Sequence, residues 1–116
     1  MEKENLILDK SFAFSLKIID YAELLEENRK YILSRQLLKS GTSIGANINE
    51  AQSSETKADF IHKLKIADKE AYETEYWLKL CKFSKNYPNP DALIEELLIL
   101  KKLLSKIIST SKKSLH

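Results

Sequence analysis

Turn-forming residues are almost absent from this chain, and the few that occur are clustered. Only two of its 116 residues are glycine and two are proline. The glycines are Gly41 and Gly45, and the prolines are Pro88 and Pro90, so the remaining sequence carries no strong turn signal. Leu, Lys, Glu, Ile and Ala dominate it. We therefore predict an all-α protein built from a few long helices.

Apolar residues recur every three or four positions in four segments, which is the spacing of helices with a buried face. In the third segment, Phe60 begins a heptad row that continues to Cys81. Asp9 and Thr56 are predicted N-caps of the first and third helices. The short connections predict an antiparallel up-down-up-down four-helix bundle as one domain over residues 1–116. The predicted helices span about residues 9–28, 31–52, 56–85 and 90–111.

Both glycines fall inside the second predicted helix, where each costs about 1 kcal/mol relative to alanine. Some close contact must compensate for this cost. Ala67 and Ala71 occupy the central row of the third helix. We expect Gly41, Gly45 and these alanines to let helices two and three approach closely.

The composition excludes several classes of protein. Cys81 is the single cysteine, which rules out a disulfide scaffold and fits a reducing compartment. No stretch approaches the ~20 apolar residues of a membrane helix, and the segment after Met1 lacks the pattern of a secretion signal. We expect a cytoplasmic protein without membrane contact.

Two helices carry more apolar residues than one buried face requires. On helix one, Phe14 and Ile18 lie on one side and a second apolar group lies nearly opposite. Large exposed apolar patches are costly, so we predict that the second faces are buried in a homo-oligomer. Alternatively, these residues lie at the outer edges of the bundle of a single chain, where scattered exposed apolar residues are normal. The predicted oligomer interface consists of Phe12, Leu16, Ile19, Tyr72, Tyr76 and Phe83.

The chain offers little material for catalysis or metal binding. His62 and His116 are the two histidines, and a helical di-metal site requires a second Asp-x-x-His motif besides Asp59 and His62. Cys81 lies in the core heptad row, too far along the same helix from His62 for a nucleophile pair. Glycine-rich phosphate loops and paired cysteines are absent from the sequence. We expect no enzymatic activity, no cofactor and no metal.

A polar ridge follows the second helix, where Ser43, Asn47 and Glu50 share one side. Glu70 and Glu73 of helix three are positioned to face it. Such residues are poor choices within a helix unless their side chains have partners. We predict a structural polar network, with a ligand or catalytic site as the alternative. The network comprises Ser43, Asn47, Glu50 and Glu73.

The C-terminal part of the chain is basic, and no acidic residue follows Glu96. Lys102, Lys106 and Lys113 share one outward side of helix four. Repeated around an oligomer, such a face suits phosphate backbones. Alternatively, it is a solvated helix end whose lysines complement the helix dipole. The predicted nucleic-acid-binding residues are Lys101, Lys102, Lys106, Lys112 and Lys113.

One motif resembles a known protein family. The pattern Ser-Ile-x-x-Asn-Ile-x-Glu runs from Ser43 to Glu50, and a matching acidic position falls on Glu73. The chain resembles the four-helix-bundle family encoded in intervening sequences of bacterial 23S ribosomal RNA genes. That family is related to the accessory protein of diversity-generating retroelements. The resemblance extends over about residues 10–108.

The chain departs from the family pattern at two positions. Gly45 stands where many relatives have proline, and Ala51 where they have glycine. The resemblance implies a homopentamer without established enzymatic activity, whose retroelement relatives associate with a reverse transcriptase and nucleic acid. The leading hypothesis is thus a non-catalytic homo-oligomer that binds structured nucleic acid, namely RNA. The alternative is a protein-interaction scaffold or accessory subunit that docks a polymerase or another protein.

Overall fold

The computed structural model describes residues 2–114, with side chains from residue 6, and this part of the chain contains four helices and no strand. Each helix packs against its neighbour in the chain, and the fourth also packs against the first. The bundle measures 50 × 20 × 20 Å. The predicted all-α four-helix bundle is confirmed. Its helices are α1 (Glu2–Glu27), α2 (Tyr31–Ala51), α3 (Lys57–Phe83) and α4 (Asp91–Lys113).

The first helix begins earlier than the sequence predicted. α1 starts at Glu2, so Asp9 lies within the helix and the prediction that it is the N-cap was wrong. The physical reason is that the buried row extends upstream of Asp9, because Ile7 is only 1% exposed and packs into the core. The other helix ends lie within about two residues of their predicted positions, an ordinary uncertainty for helix ends.

Local hydrogen bonds fix the connections between helices. The Thr56 hydroxyl accepts a hydrogen bond from the Asp59 amide at 3.0 Å, which confirms the predicted N-cap of α3. In the turn before α4, the Asn89 side chain accepts from the Asp91 amide at 2.9 Å. The buried Tyr21 hydroxyl donates to the Pro88 carbonyl at 2.6 Å and ties this turn to α1. These hydrogen bonds fix the start of α3 and the turn between α3 and α4.

The glycines of α2 pack against α1 rather than α3. A Cβ atom on Gly41 would lie 2.8 Å from Ile18 Cγ2, and one on Gly45 would lie 3.3 Å from the Ser11 carbonyl oxygen. Ile18 and Ser11 both belong to α1, so the expectation that the glycines bring α2 and α3 together was wrong. Their positions place them on the side of α2 that faces α1, where even a methyl group would crowd the neighbouring helix.

The α2–α3 contact contains a buried hydroxyl pair. Thr74 and Ser40 are fully buried, and their hydroxyl oxygens lie 2.9 Å apart. The Thr74 hydroxyl also lies 2.8 Å from the Glu70 carbonyl oxygen of its own helix. Because water is excluded here, each hydroxyl depends on protein partners.

Thr74→Val is expected to lower the free energy of unfolding by about 1–3 kcal/mol, because the buried Ser40 hydroxyl loses its partner. Combining it with Ser40→Ala should recover much of that loss, since no unpaired hydroxyl then remains. Denaturant unfolding of the wild type, both single variants and the double variant measures the coupling. If the loss of stability in the double variant equalled the sum of the losses in the two single variants, the proposed pairing of the hydroxyls would be contradicted.

Candidate functional site

Exposed lysines are concentrated toward the C-terminal end of α4. We call Lys102, Lys106, Lys112 and Lys113 the basic end; all four are exposed. None of them makes an ion pair with a carboxylate in the part of the chain that the structure describes. Their charge is therefore not neutralised by an ion pair among the described residues.

Two lysines of α3 extend the basic end, and the sequence analysis missed them. Lys57 Nζ donates to Ser114 Oγ at 3.0 Å, which places the start of α3 beside the end of α4. A side-chain hydrogen bond with Lys112 and the repulsion between the two positive charges lower the pKa of Lys65. The predicted antiparallel arrangement of α3 and α4 could have located them, because it places the start of α3 beside the end of α4.

Lys101 does not belong to the basic end, although the sequence placed it there. Its side chain is only 15% exposed, and its Nζ lies 2.5 Å from Glu75 Oε1. The same Nζ lies 3.8 Å from the centre of the Tyr72 ring. Lys101 is thus held in the α3–α4 groove by a carboxylate and an aromatic ring, so it is less available to a phosphate than the four exposed lysines.

Lys101→Met is expected to lower the free energy of unfolding at pH 7 by about 1–3 kcal/mol, because the largely buried Glu75 carboxylate loses its main partner. The hydrogen bond from Lys101 holds the pKa of Glu75 below its ordinary value of 4.5, with Lys79 adding to the effect. This part of the stability is present above pH 4.5 and is lost as the pH falls through the lowered pKa. Thermal unfolding of the wild type and the variant should show that the difference in stability between them decreases as the pH falls from 7 to 3. A constant difference would contradict the ion pair.

The polar ridge (Ser43, Asn47, Glu50 and Glu73) makes local hydrogen bonds rather than one connected network. The Ser43 hydroxyl donates to the Lys39 carbonyl at 2.7 Å, and the Asn47 amide donates to the Ser43 carbonyl at 2.8 Å. Lys63 Nζ donates to the Glu50 carboxylate at 3.3 Å. The Glu73 carboxylate accepts from the Trp77 indole at 3.3 Å. Among the residues that the structure describes, the four side chains do not bond to one another, because helix carbonyls and neighbouring residues are closer partners.

The apolar side chains assigned to an oligomer interface are exposed in the single chain. On α1, Phe12, Leu16 and Ile19 form what we call the α1 apolar face, and they are 67%, 51% and 36% exposed. Phe12 lines a groove of about 450 Å³ between α1 and α2, whose α2 wall includes Gly45 and Ala46. The absence of a side chain on Gly45 leaves this groove open.

A second apolar group lies on α3. Tyr72, Tyr76 and Phe83 form the α3 apolar face, with exposures of 59%, 57% and 81%. Tyr72 shares the α3–α4 groove with Leu98, which is itself 42% exposed. Because the four helices pack in cyclic order, the α1–α2 groove and the α3–α4 groove lie on opposite sides of the bundle. The chain therefore presents two separate apolar faces.

Little in the described residues supports metal or nucleophile chemistry. Residues 6–114 contain no group of three or more metal-ligating side chains, and His62 is exposed on α3. Cys81 is buried, and burial raises the pKa of its thiol despite a hydrogen bond with Tyr21 that acts the other way. None of the helices in this part of the chain is long and apolar enough to cross a membrane.

Known proteins provide an independent comparison. A solved structure from Bacteroides thetaiotaomicron VPI-5482, a protein with unknown function from the S23 ribosomal protein family, is 42% identical to this chain. The similarity covers 92% of this chain and 98% of that chain, with a TM-score of 0.87. No curated protein matches the sequence significantly. The family model of the 23S rRNA-intervening sequence protein matches residues 3–109. Because that match spans nearly the whole sequence, the chain belongs to the 23S rRNA-intervening sequence protein family.

Proposed function

We propose that this protein is a non-catalytic homo-oligomer of the cytoplasm that binds structured RNA through its basic end. The observation that carries the proposal is the set of four exposed lysines on α4 that lack an ion-pair partner among the described residues. Lysines in this state are free to neutralise phosphates and release the counterions around the nucleic acid. The family's link to 23S rRNA favours RNA as the nucleic acid.

Assembly is proposed because the chain exposes two apolar faces on opposite sides. The α1 apolar face of one protomer packs against the α3 apolar face of the next, and both faces are thereby removed from water. Contacts between two different faces are head-to-tail and produce a closed ring when the rotation between protomers permits closure. The resemblance to pentameric relatives implies five protomers. A ring repeats the basic end once per protomer, so a chain with a formal charge of only +2 presents many lysines to one RNA.

Salt dependence of RNA binding tests the proposal. Fluorescence anisotropy of a labelled RNA hairpin, titrated with the assembled protein at several salt concentrations, yields the slope of log affinity against log salt. Each neutralised phosphate contributes about −0.7 to −0.9 to that slope. We expect a slope of −3 or steeper, roughly four contacts or more. Absence of binding at low salt, or a slope near zero, would overturn the proposal.

The alternative function is docking of another protein, such as a polymerase, and the exposed aromatic residues favour it. Phe83 is 81% exposed, and Tyr76 packs edge-on against Trp77 with ring centres 5.4 Å apart. Aromatic side chains are enriched in protein interfaces. Affinity purification with and without nuclease separates the two functions. Partners that survive nuclease and are lost in Phe83→Ala support docking; partners released by nuclease support RNA binding.

A further inference from the structure

One row of residues on the outward side of α1 has a carboxylate at each end and an apolar residue at its centre. Asp9, Leu16 and Glu23 follow one another at heptad spacing, so they lie along one side of the helix. All three are exposed, and neither carboxylate makes an ion pair among the described residues. We call these three residues the acid row. Because Leu16 belongs to the α1 apolar face, the acid row borders that face with negative charge.

A row of opposite charge lies on the outward side of α3. Lys65, Tyr72 and Lys79 have the same heptad spacing, and all three are exposed. Lys79 Nζ lies 3.5 Å from a Glu75 carboxylate oxygen, but its side chain remains 57% exposed. We call Lys65, Tyr72 and Lys79 the lysine row. Its central tyrosine belongs to the α3 apolar face, so the two rows match in shape and are opposite in charge.

The packing of the bundle places the two rows at the same level along its long axis. Gly41 of α2 lies against Ile18 of α1, and the residue before it, Ser40, is hydrogen-bonded to Thr74 of α3. Ile18 and Thr74 are therefore level with each other on two helices that run in the same direction. Members of the two rows are separated by the same number of residues as Ile18 and Thr74. The level pairs are Asp9 with Lys65, Leu16 with Tyr72, and Glu23 with Lys79.

We propose that the acid row of one protomer docks on the lysine row of a second copy, each member facing the one that is level with it. This inference rests on the assembly in the proposed function and adds what selects the partner surface. Neighbouring protomers that point in the same direction, without a shift along their axes, bring both charge pairs together at once. Contact between two acid rows or two lysine rows would juxtapose like charges, which is unfavourable. Charge therefore favours head-to-tail contact over contact between identical faces.

Reversal of one charge tests the pairing. Glu23→Lys should raise the protomer concentration at the midpoint of assembly roughly tenfold or more, because the new lysine faces Lys79 of the neighbour. Adding Lys79→Glu should restore the midpoint of the wild type, whereas adding Lys65→Glu should not. Sedimentation equilibrium without RNA measures the midpoints, and circular dichroism verifies folding. An unchanged midpoint in Glu23→Lys, or equal rescue by Lys65→Glu, would overturn the proposed pairing.

A protein with both rows reversed tests the selection of partners. This variant carries Asp9→Lys, Glu23→Lys, Lys65→Glu and Lys79→Glu. It should assemble with itself but not with the wild type, because each mixed contact juxtaposes like charges. Native mass spectrometry of a mixture of the two proteins measures the exchange of protomers. Free exchange would argue against selection by charge.

Controls separate the charge pairs from the apolar interface. Glu55→Lys and Lys39→Glu make the same charge changes at exposed positions outside both rows, and their midpoints should equal that of the wild type. If Glu23→Lys assembled normally while Leu16→Glu produced a monomer, the charge pairs would be refuted and the apolar interface would stand. A monomeric wild type would refute the proposed assembly and the pairs together. RNA binding is measured separately, so its loss or presence does not affect these outcomes.

Discussion

Replacing Leu16 with glutamate is expected to convert the assembled protein into a folded monomer. Leu16 is 51% exposed in the single chain, so the substitution leaves the bundle core intact. In the assembly, its carboxylate would be transferred from water into an apolar contact, which costs several kcal/mol for an unpaired charge. Light scattering at micromolar concentration measures the mass, and circular dichroism verifies that the helices and the melting temperature are retained.

Ile32→Glu is the matched control, because Ile32 is 73% exposed on α2 and belongs to neither apolar face. This control should keep the mass of the wild type. Tyr76→Glu, on the opposite side of the bundle, should also produce a monomer. A mixture of the Leu16→Glu and Tyr76→Glu proteins retains one intact α3 face and one intact α1 face, so head-to-tail pairing predicts a dimer. A wild-type mass for Leu16→Glu would contradict the proposed interface.

Removing three lysines of the basic end is expected to weaken RNA binding strongly. In the variant carrying Lys102→Ala, Lys106→Ala and Lys113→Ala, each lost phosphate contact should reduce the salt slope by about 1 per engaged protomer. At low salt, the loss of affinity should be on the order of tenfold to a hundredfold. Exposed helical lysines contribute little to the core, and alanine is a good helix former, so folding should be unaffected. Anisotropy titrations at several salt concentrations measure both quantities.

A variant with equal charge change provides the control for this experiment. Arg35, Lys39 and Lys85 are exposed, and they lie in the first half of α2 or in the α3–α4 turn, away from the C-terminal end of α4. Replacing these three with alanine alters the net charge by the same amount and should leave the salt slope close to that of the wild type. If both triple variants lowered the slope equally, binding would depend on net charge alone and the assignment of the basic end would be wrong.

The architecture was predictable because helical periodicity depends on local sequence alone. The heptad row is buried from Leu64 to Cys81, where the pattern indicated, with Leu64, Thr74 and Cys81 at most 1% exposed, whereas Phe60 at its start is partly buried. The cap at Thr56 was predictable for the same reason. The start of α1 was not predictable, because charged residues near Asp9 interrupt the apolar pattern in the sequence. In the structure, Ile7 nevertheless continues the buried row.

The candidate site was less predictable, because it depends on which helices are neighbours. Periodicity places Gly41 on one side of α2 but does not tell whether α1 or α3 packs there, and the structure places Ile18 of α1 against it. In the sequence, Lys101 resembles the other lysines of α4. Only the structure shows that Glu75 and Tyr72 of α3 contact it across the groove. Lys57 lies beside the basic end because its side chain bonds to Ser114, which is far away in sequence.

Lysine footprinting of the assembled wild-type protein tests the central claim most directly. An amine-reactive reagent is applied with and without a structured RNA, and modification is quantified at each lysine by mass spectrometry. We predict that RNA protects Lys102, Lys106, Lys112 and Lys113, whereas Lys39 and Lys85 react equally in both samples. Lys101 should react slowly in either sample because Glu75 holds it. Unchanged reactivity of the basic end in an RNA complex, or protection confined to Lys39 and Lys85, would contradict the account.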